Sequence, residues 1–330
     1  MKYISSHMIT FRRRFLVFLF TFLIPCLLVA GKSHVPHSVL ASGTWYKIGV
    51  TQTGIYKITY NDLVKMGFSP ESIDPDKIRI FGNGAGMLPE SNATKRTDDL
   101  KENSIFVAGS SDGKFNTQDY ILFYGEAADA WVYDSIKKIF NHVKNLYSDT
   151  TYYYINTDLA LGKRVVPFVS LDTTPNSYSR HFADYLYHDI DSVNLAKTGK
   201  LWLGEAFSET RKSMDLSFSI PDIDTTSMIL VATDVVAKST LISSFSLREK
   251  THGLVDSILV DSSPPTNIYL YGQEKLSKCY MFHPRAELNF TLKYNLPNSS
   301  SFGWLNYIEL NYQRNLDWTG PQMKFCDPNA

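Results

Sequence analysis

Between Glu287 and Tyr294 every second residue is large and apolar. Leu288, Phe290, Leu292 and Tyr294 alternate with Glu287, Asn289, Thr291 and Lys293. Side chains leave a strand on alternate faces, so this pattern suits an extended chain with one face buried and the other in water. The pattern recurs. Met214, Leu216, Phe218 and Ile220 alternate with Asp215, Ser217 and Ser219, and Ile308, Leu310 and Tyr312 share one face further on. Ser227 to Ala237 is almost wholly apolar and β-branched, the mark of a strand covered on both sides. Such strands, separated by polar turns, predict a β-sandwich or jelly-roll domain over residues 177–330. The 330-residue length leaves room for a second domain before it.

That first domain, residues 44–165, reads as β-rich α+β, so the chain as a whole is mainly β. The stretch WYKIGVTQTGIYKITYNDL, Trp45 to Leu63, carries its strongest signals. Tyr46, Ile48 and Val50 alternate with polar or small residues, and Ile55 to Tyr60 follows a Thr-Gln-Thr-Gly turn, which predicts a hairpin. Asn61 or Asp62 is the expected cap of a short helix carrying Leu63, Val64 and Met66 and ended by Gly67. Lys77 to Phe81 is a further strand. It runs into Gly82-Asn83-Gly84-Ala85-Gly86, and then into Met87-Leu88-Pro89. A dinucleotide loop must feed a helix N-terminus, and this sequence starts none, so the glycines read as a tight loop. Ile105–Ala108 and Tyr120–Tyr124 are strands joined around Asp112-Gly113. Tyr152-Tyr153-Tyr154 reads as sheet core, and Pro167–Asn176 as the boundary between domains.

Residues 1–31 read as a secretory signal. Arg12, Arg13 and Arg14 precede the apolar run Phe15–Ala30, with cleavage expected near Ala30 or Gly31. Lipidation at Cys26 is disfavoured by Pro25, which stands where a small residue belongs. Removing this segment takes away Lys2 and three arginines but no acid, so the overall balance of 33 basic and 33 acidic residues becomes mildly acidic. That leaves no basic footprint for nucleic acid. Residues 32–43 read as a loose leader, in which His34-x-x-His37 has no further metal ligands nearby. Export permits a disulfide between Cys279 and Cys326, and two unpaired thiols are the equal alternative.

No catalytic residue and no cofactor is expected from the residues themselves. Asp112, Asn116 and Asp119 resemble part of a calcium loop, but Ala108 stands where its first carboxylate belongs, so a plain Asp-Gly turn is the simpler reading. Cys279, with His252 or His283 as base, is the one conceivable nucleophile. It lies between Lys278 and Tyr280 without a glycine loop for an oxyanion, and His252-Gly253 follows a polar run. A structural cysteine and surface histidines are the readings adopted.

Four segments carry a family likeness: WYKIGVTQTGIYKIT (45–59), IRIFGNGAGMLPE (78–90), DGKFNTQDYILFYGEAADAW (112–131) and GWLNYIELNYQRNL (303–316). In order and spacing they resemble the pre-catalytic N-terminal region of the gingipain-type cysteine peptidases that serve as type IX secretion sortases. The resemblance implies a caspase-like α/β domain with a Cys–His dyad downstream, and a reading frame that continues past Ala330. It also implies export to the outer membrane and cell surface of a Gram-negative bacterium. The implied partners are type IX outer-membrane components, secreted cargo whose C-terminal sorting domain is cleaved, and anionic lipopolysaccharide that receives the cargo. No position here matches the dyad, so no catalytic residue is carried over. Without the resemblance, the residues describe a stand-alone secreted β-rich module that binds glycan or protein.

Overall fold

The computed structural model describes residues 34–169, 174, 178–195, 197, 199–263, 271–318 and 320–325. The signal segment, Cys326 and with it the choice between a disulfide and two free thiols, and part of the expected domain boundary lie outside the described residues.

Tyr46–Val50 (β1) and Gly54–Thr59 (β2) are both strands, but they do not pair with each other. β1 pairs antiparallel with Thr151–Asn156 (β9), and β2 with Tyr120–Gly125 (β6). The expected hairpin is therefore a corner between two sheets. Its connection is tied sideways. The Tyr56 hydroxyl donates to the Gln52 carbonyl at 2.7 Å, and Thr53 Oγ1 accepts the Ala127 N–H at 2.9 Å. Val50 and Ile58 thus enter one core from opposite layers. A hairpin and a corner share the same alternation, so periodicity alone cannot separate them.

One layer is β1, β9, Arg79–Phe81 (β3) and Glu102–Asn103 (β4). The other is β2, β6 and Phe106–Ala108 (β5). Leu63, Ile80, Ile105, Phe115, Phe123 and Tyr153 fill the space between. The helix Tyr60–Met66 (α1) closes one side. Its cap is Thr59 rather than Asn61 or Asp62. Asp62 instead sits three residues in and completes a capping box, accepting the Thr59 N–H at 3.0 Å. Gly67 ends the helix at φ 97°, as expected.

The glycine cluster has a packing reason. A Cβ on Gly82 would lie 2.3 Å from the ring of Tyr153, which is 1 % exposed and accepts the Glu126 N–H at 2.9 Å. The leader is fastened rather than loose. Asp98 accepts from His34 Nδ1 and the Val35 N–H, while Asp99 accepts from Ser38 Oγ at 2.9 Å and the Val39 N–H at 2.6 Å.

The chain then forms Ala130–Asp134 (β7) and Ile139–Val143 (β8), a hairpin of its own. The second half holds His181–Asp189 (β10), the short Ala206–Phe207 (β11), Ser213–Ser219 (β12), Met228–Lys238 (β13), Ser243–Glu249 (β14), Gly253–Val260 (β15), Gln273–Phe282 (β16), Glu287–Asn295 (β17) and Phe302–Asn315 (β18). Two antiparallel sheets face each other, ordered β10-β18-β13-β16 and β12-β17-β14-β15. Numbering the eight long strands in sequence gives 1-8-3-6 and 2-7-4-5, the jelly-roll order. Leu216, Phe218, Phe245, Phe290, Leu292 and Ile308 are among the residues packed between them. The alternating segments read from sequence are therefore the inward rows of this sandwich.

β13 is buried on both faces, as its composition required. Val231, Val235 and Ala237 face the sandwich, while Val236 packs outward against Leu203 and Trp304. Asp234 is 3 % exposed, and its Oδ2 accepts from Asn306 Nδ2 at 2.7 Å. Burial, with the nearby charge of Glu274, pushes its carboxyl up to about 7. A carboxyl raised in the fold holds its proton there longer than in the unfolded chain, so stability falls as pH rises from about 4 to about 7.

Two outcomes follow. Asp234→Asn keeps an acceptor for Asn306 and should raise unfolding free energy at pH 8 by about 2 kcal/mol, with the gain vanishing near pH 4. Urea denaturation at both pH values reads this. Gly82→Ala should cost about 2–3 kcal/mol by overpacking against Tyr153, whereas Gly86→Ala, with open space around it, should cost only the strain of its φ of 90°, about 1 kcal/mol.

Candidate functional site

The two layered halves meet where the β7–β8 hairpin lies on β10 and β18. Asn311 fixes the register. Its Oδ1 accepts the Phe140 N–H at 2.6 Å, and its Nδ2 donates to the Phe140 carbonyl at 3.2 Å, both in a buried setting. Cross-strand pairing places Trp131 beside His142, and their rings stack at 4.6 Å. The Trp131 ring also stacks on Tyr185 of β10 at 3.7 Å, with an interplanar angle of 16°. Alternation along β10 puts Tyr185, Tyr187 and Asp189 on this same face.

Charge gathers around the stack. Lys144 Nζ lies 3.7 Å from a carboxylate oxygen of each of Asp129, Asp189 and Asp191. His142 Nε2 lies 3.6 Å from Asp129, and its Nδ1 lies 4.0 Å from Asp189. The side chains of His142 and Asp189 are each 5 % exposed. Burial pushes the Asp129 carboxyl up, but the facing His142 imidazole, the hydrogen bond from the Asn145 N–H at 2.8 Å and the charge of Lys144 outweigh it and hold it below the usual range. At the more deeply buried Asp189, burial prevails over Lys144 and His142, and its carboxyl is raised. Burial alone would lower the Lys144 ammonium, yet Asp189, Asp129 and Asp191 together raise it. Lys144 is therefore charged, and the three carboxylates outnumber it.

Beside this cluster lies an open cleft of about 590 Å³, walled by Gln52, Asn145 and Trp131 on one side and by Tyr187, Asp191 and Lys324 on the other. The segment after β18 returns along it. Gln322 Oε1 accepts the Ile55 N–H at 2.9 Å, and Lys324 Nζ donates to the Tyr185 hydroxyl at 3.1 Å.

Among the described residues, none of those weighed from sequence as nucleophile, base or metal ligand lines this cleft. Cys279 sits on β16 against the sandwich core, with its thiol pointed at the Val231 carbonyl at 3.7 Å. Burial pushes that thiol up to about 11, so it is a poor nucleophile near neutrality. His252 Nδ1 lies 2.8 Å from a Glu249 carboxylate oxygen and its Nε2 3.2 Å from the His283 carbonyl oxygen, which makes it a turn clasp. Asp112, Asn116 and Asp119 do come together. However, Asp112 accepts from Asn116 Nδ2 at 2.7 Å, and Asp119 from the Asn116 N–H at 2.6 Å, so these oxygens serve the loop. No group of three acidic, histidine or cysteine side chains among the described residues is placed to hold a metal ion. No helix among them is long and apolar enough to cross a membrane.

Sequence reasoning assigns the junction residues no role, because only Tyr152-Tyr153-Tyr154 of the stretch from Trp131 to Asp158 carries a signal, that of sheet core. The alternation Tyr185-x-Tyr187-x-Asp189 and the Asp129, Trp131, His142, Lys144 set were visible as strand faces, but nothing in one sequence says that two such faces meet.

No protein-family model and no curated protein matches the chain. Among solved structures, dimeric latent PorU from Porphyromonas gingivalis is similar over 88% of this chain and 26% of its own, with a TM-score of 0.71 and 23% identity. At that identity the likeness is one of fold, and the chain has a PorU-like, mainly β architecture. It spans about a quarter of the length of that protein. The insecticidal toxin Cry8Ea1 from Bacillus thuringiensis, with a TM-score of 0.27, 11% identity and coverage of 75% and 44%, is too distant to carry any argument.

Asn311→Ala leaves the Phe140 N–H and carbonyl without their buried partner. It should destabilise the chain by about 2–3 kcal/mol, read as a lower urea midpoint, and should raise protease sensitivity in the β7–β8 hairpin.

Proposed function

We propose that this chain is the non-catalytic N-terminal part of a cell-surface, gingipain-type cysteine endopeptidase that acts as a type IX secretion sortase. The observation that carries the reading is fold likeness to PorU over 88% of the chain. The placement of the four resembling segments supports it. They form β1 and β2, β3 with its glycine loop, the stretch from the Asp112 turn through β6 to β7, and β18. These elements build the two cores and their junction, so the likeness lies in architecture rather than in a reactive centre.

On this reading the chain is exported and works at the outer membrane. Its task is positional. It presents a rigid pair of β units to a catalytic domain, to type IX outer-membrane components and to secreted cargo. The peptidase domain removes the cargo's C-terminal sorting domain and passes the cargo to anionic lipopolysaccharide. A cleft walled by both halves favours a second reading, a stand-alone secreted module that binds glycan or protein.

The test is genetic, in the source bacterium with the locus at its natural length. Deleting residues 44–325 should stop cargo processing and leave sorting domains attached, as seen by mass spectrometry. Cys279→Ala should leave processing unchanged within about twofold, since its raised thiol holds little thiolate. Normal processing after the deletion would remove the sortase reading and leave the binding module.

A further inference from the structure

We propose that the cleft between the two halves is a docking subsite for a lysine or arginine side chain, presented by an extended peptide of a partner protein. Three observations carry this. The first is charge. Asp129, Asp149 and Asp191 line the cleft against Lys144 and Lys324, with Asp189 close behind at Lys144. The acids outnumber the bases, and the excess faces a space large enough for a long side chain. The side chains of Asp129 and Asp191 are 17% and 31% exposed, and each meets Lys144 only at 3.7 Å, longer than a hydrogen bond. The buried His142 ring faces Asp129 at 3.6 Å with an Nε2 that has no hydrogen-bond partner. The polar groups just behind the cleft wall are therefore incompletely satisfied.

The second observation is that the chain already places an amine here. Lys324 arrives on the segment after β18 with its ammonium 5.3 Å from the centre of the Tyr185 ring, and it donates to that ring's hydroxyl. An ammonium beside an aromatic ring is attracted by the ring's electron-rich face. Tyr187, two residues on and 39% exposed, offers a second ring that Lys324 does not use.

The third observation selects a peptide over a free cation. The cleft adjoins β2, an edge strand of its sheet, and the outward Ile55 N–H at that edge is taken by a side chain, Gln322 Oε1, rather than by another strand. An extended peptide laid along this edge would use main-chain groups there, while a basic side chain enters between Tyr187 and Asp191. The returning segment shows the same two-point contact, backbone edge plus amine, in miniature.

Calorimetric titration of the purified chain, at low and at physiological ionic strength, tests this. The probes are a blocked Gly-Lys-Gly-Lys-Gly peptide, its glutamate counterpart and spermidine. The lysine peptide should bind about tenfold or more tightly than either other probe, and more weakly as salt rises. Asp149→Asn with Asp191→Asn should weaken it about fivefold or more at unchanged Tm. Lys324→Ala, which frees the Tyr185 ring, should tighten it about twofold or more. Binding of the glutamate peptide as tight as the lysine peptide overturns the proposal. Spermidine binding as tightly would make this a free-cation site and overturn it too, as would an unchanged double variant or no binding of the lysine peptide.

Discussion

The arrangement of the chain depends on one buried carboxamide. Asn311 lies on an inner strand of a jelly-roll sheet, and both its amide ends are spent on the backbone of Phe140, in a hairpin that belongs to the other half. Neither group has water as an alternative, so the contact is directional in a way that apolar packing is not. It sets how far the hairpin slides along β18, and hence whether Trp131 meets Tyr185 face to face and whether Lys144 falls among its three aspartates. The cleft inherits its shape from that register.

Much of the second half was legible beforehand, because a one-sided strand must alternate and a two-sided strand cannot. Leu288, Phe290, Leu292 and Tyr294 all point inward, and Met228–Lys238 is covered on both faces. The first half was harder. β1 and β2 have the pattern of a hairpin, and their pairing with β9 and β6, with Thr53 tied to Ala127, makes it a corner. Thr59 displaced Asn61 and Asp62 as the helix cap because Asp62 was more useful three residues in, answering the Thr59 N–H. Asp98 and Asp99 hold the leader, a contact between segments some sixty positions apart that no local pattern carries.

The reactive-looking residues and the chemically loaded place do not coincide. Cys279, His252 and His283 looked like chemistry because of their residue types, but their surroundings quench it: burial disfavours the thiolate, and Glu249 holds the imidazole as a brace. The acids and aromatics of the junction looked like ordinary sheet residues. They gain meaning only from being brought together by two strands from one half and one strand from the other.

The strand order of the jelly roll carries a further consequence. β18 lies between β10 and β13, so the middle of that sheet is the last strand to be made. Until it arrives, the first and third strands of the sandwich have no common neighbour, and the hairpin of the other half has no Asn311 to grip. As the chain is made from its N-terminus, its front half is therefore able to close while its rear half is not. Assembly of the sandwich and of the junction would then be a single late event, triggered when the final strand slots into the gap kept for it.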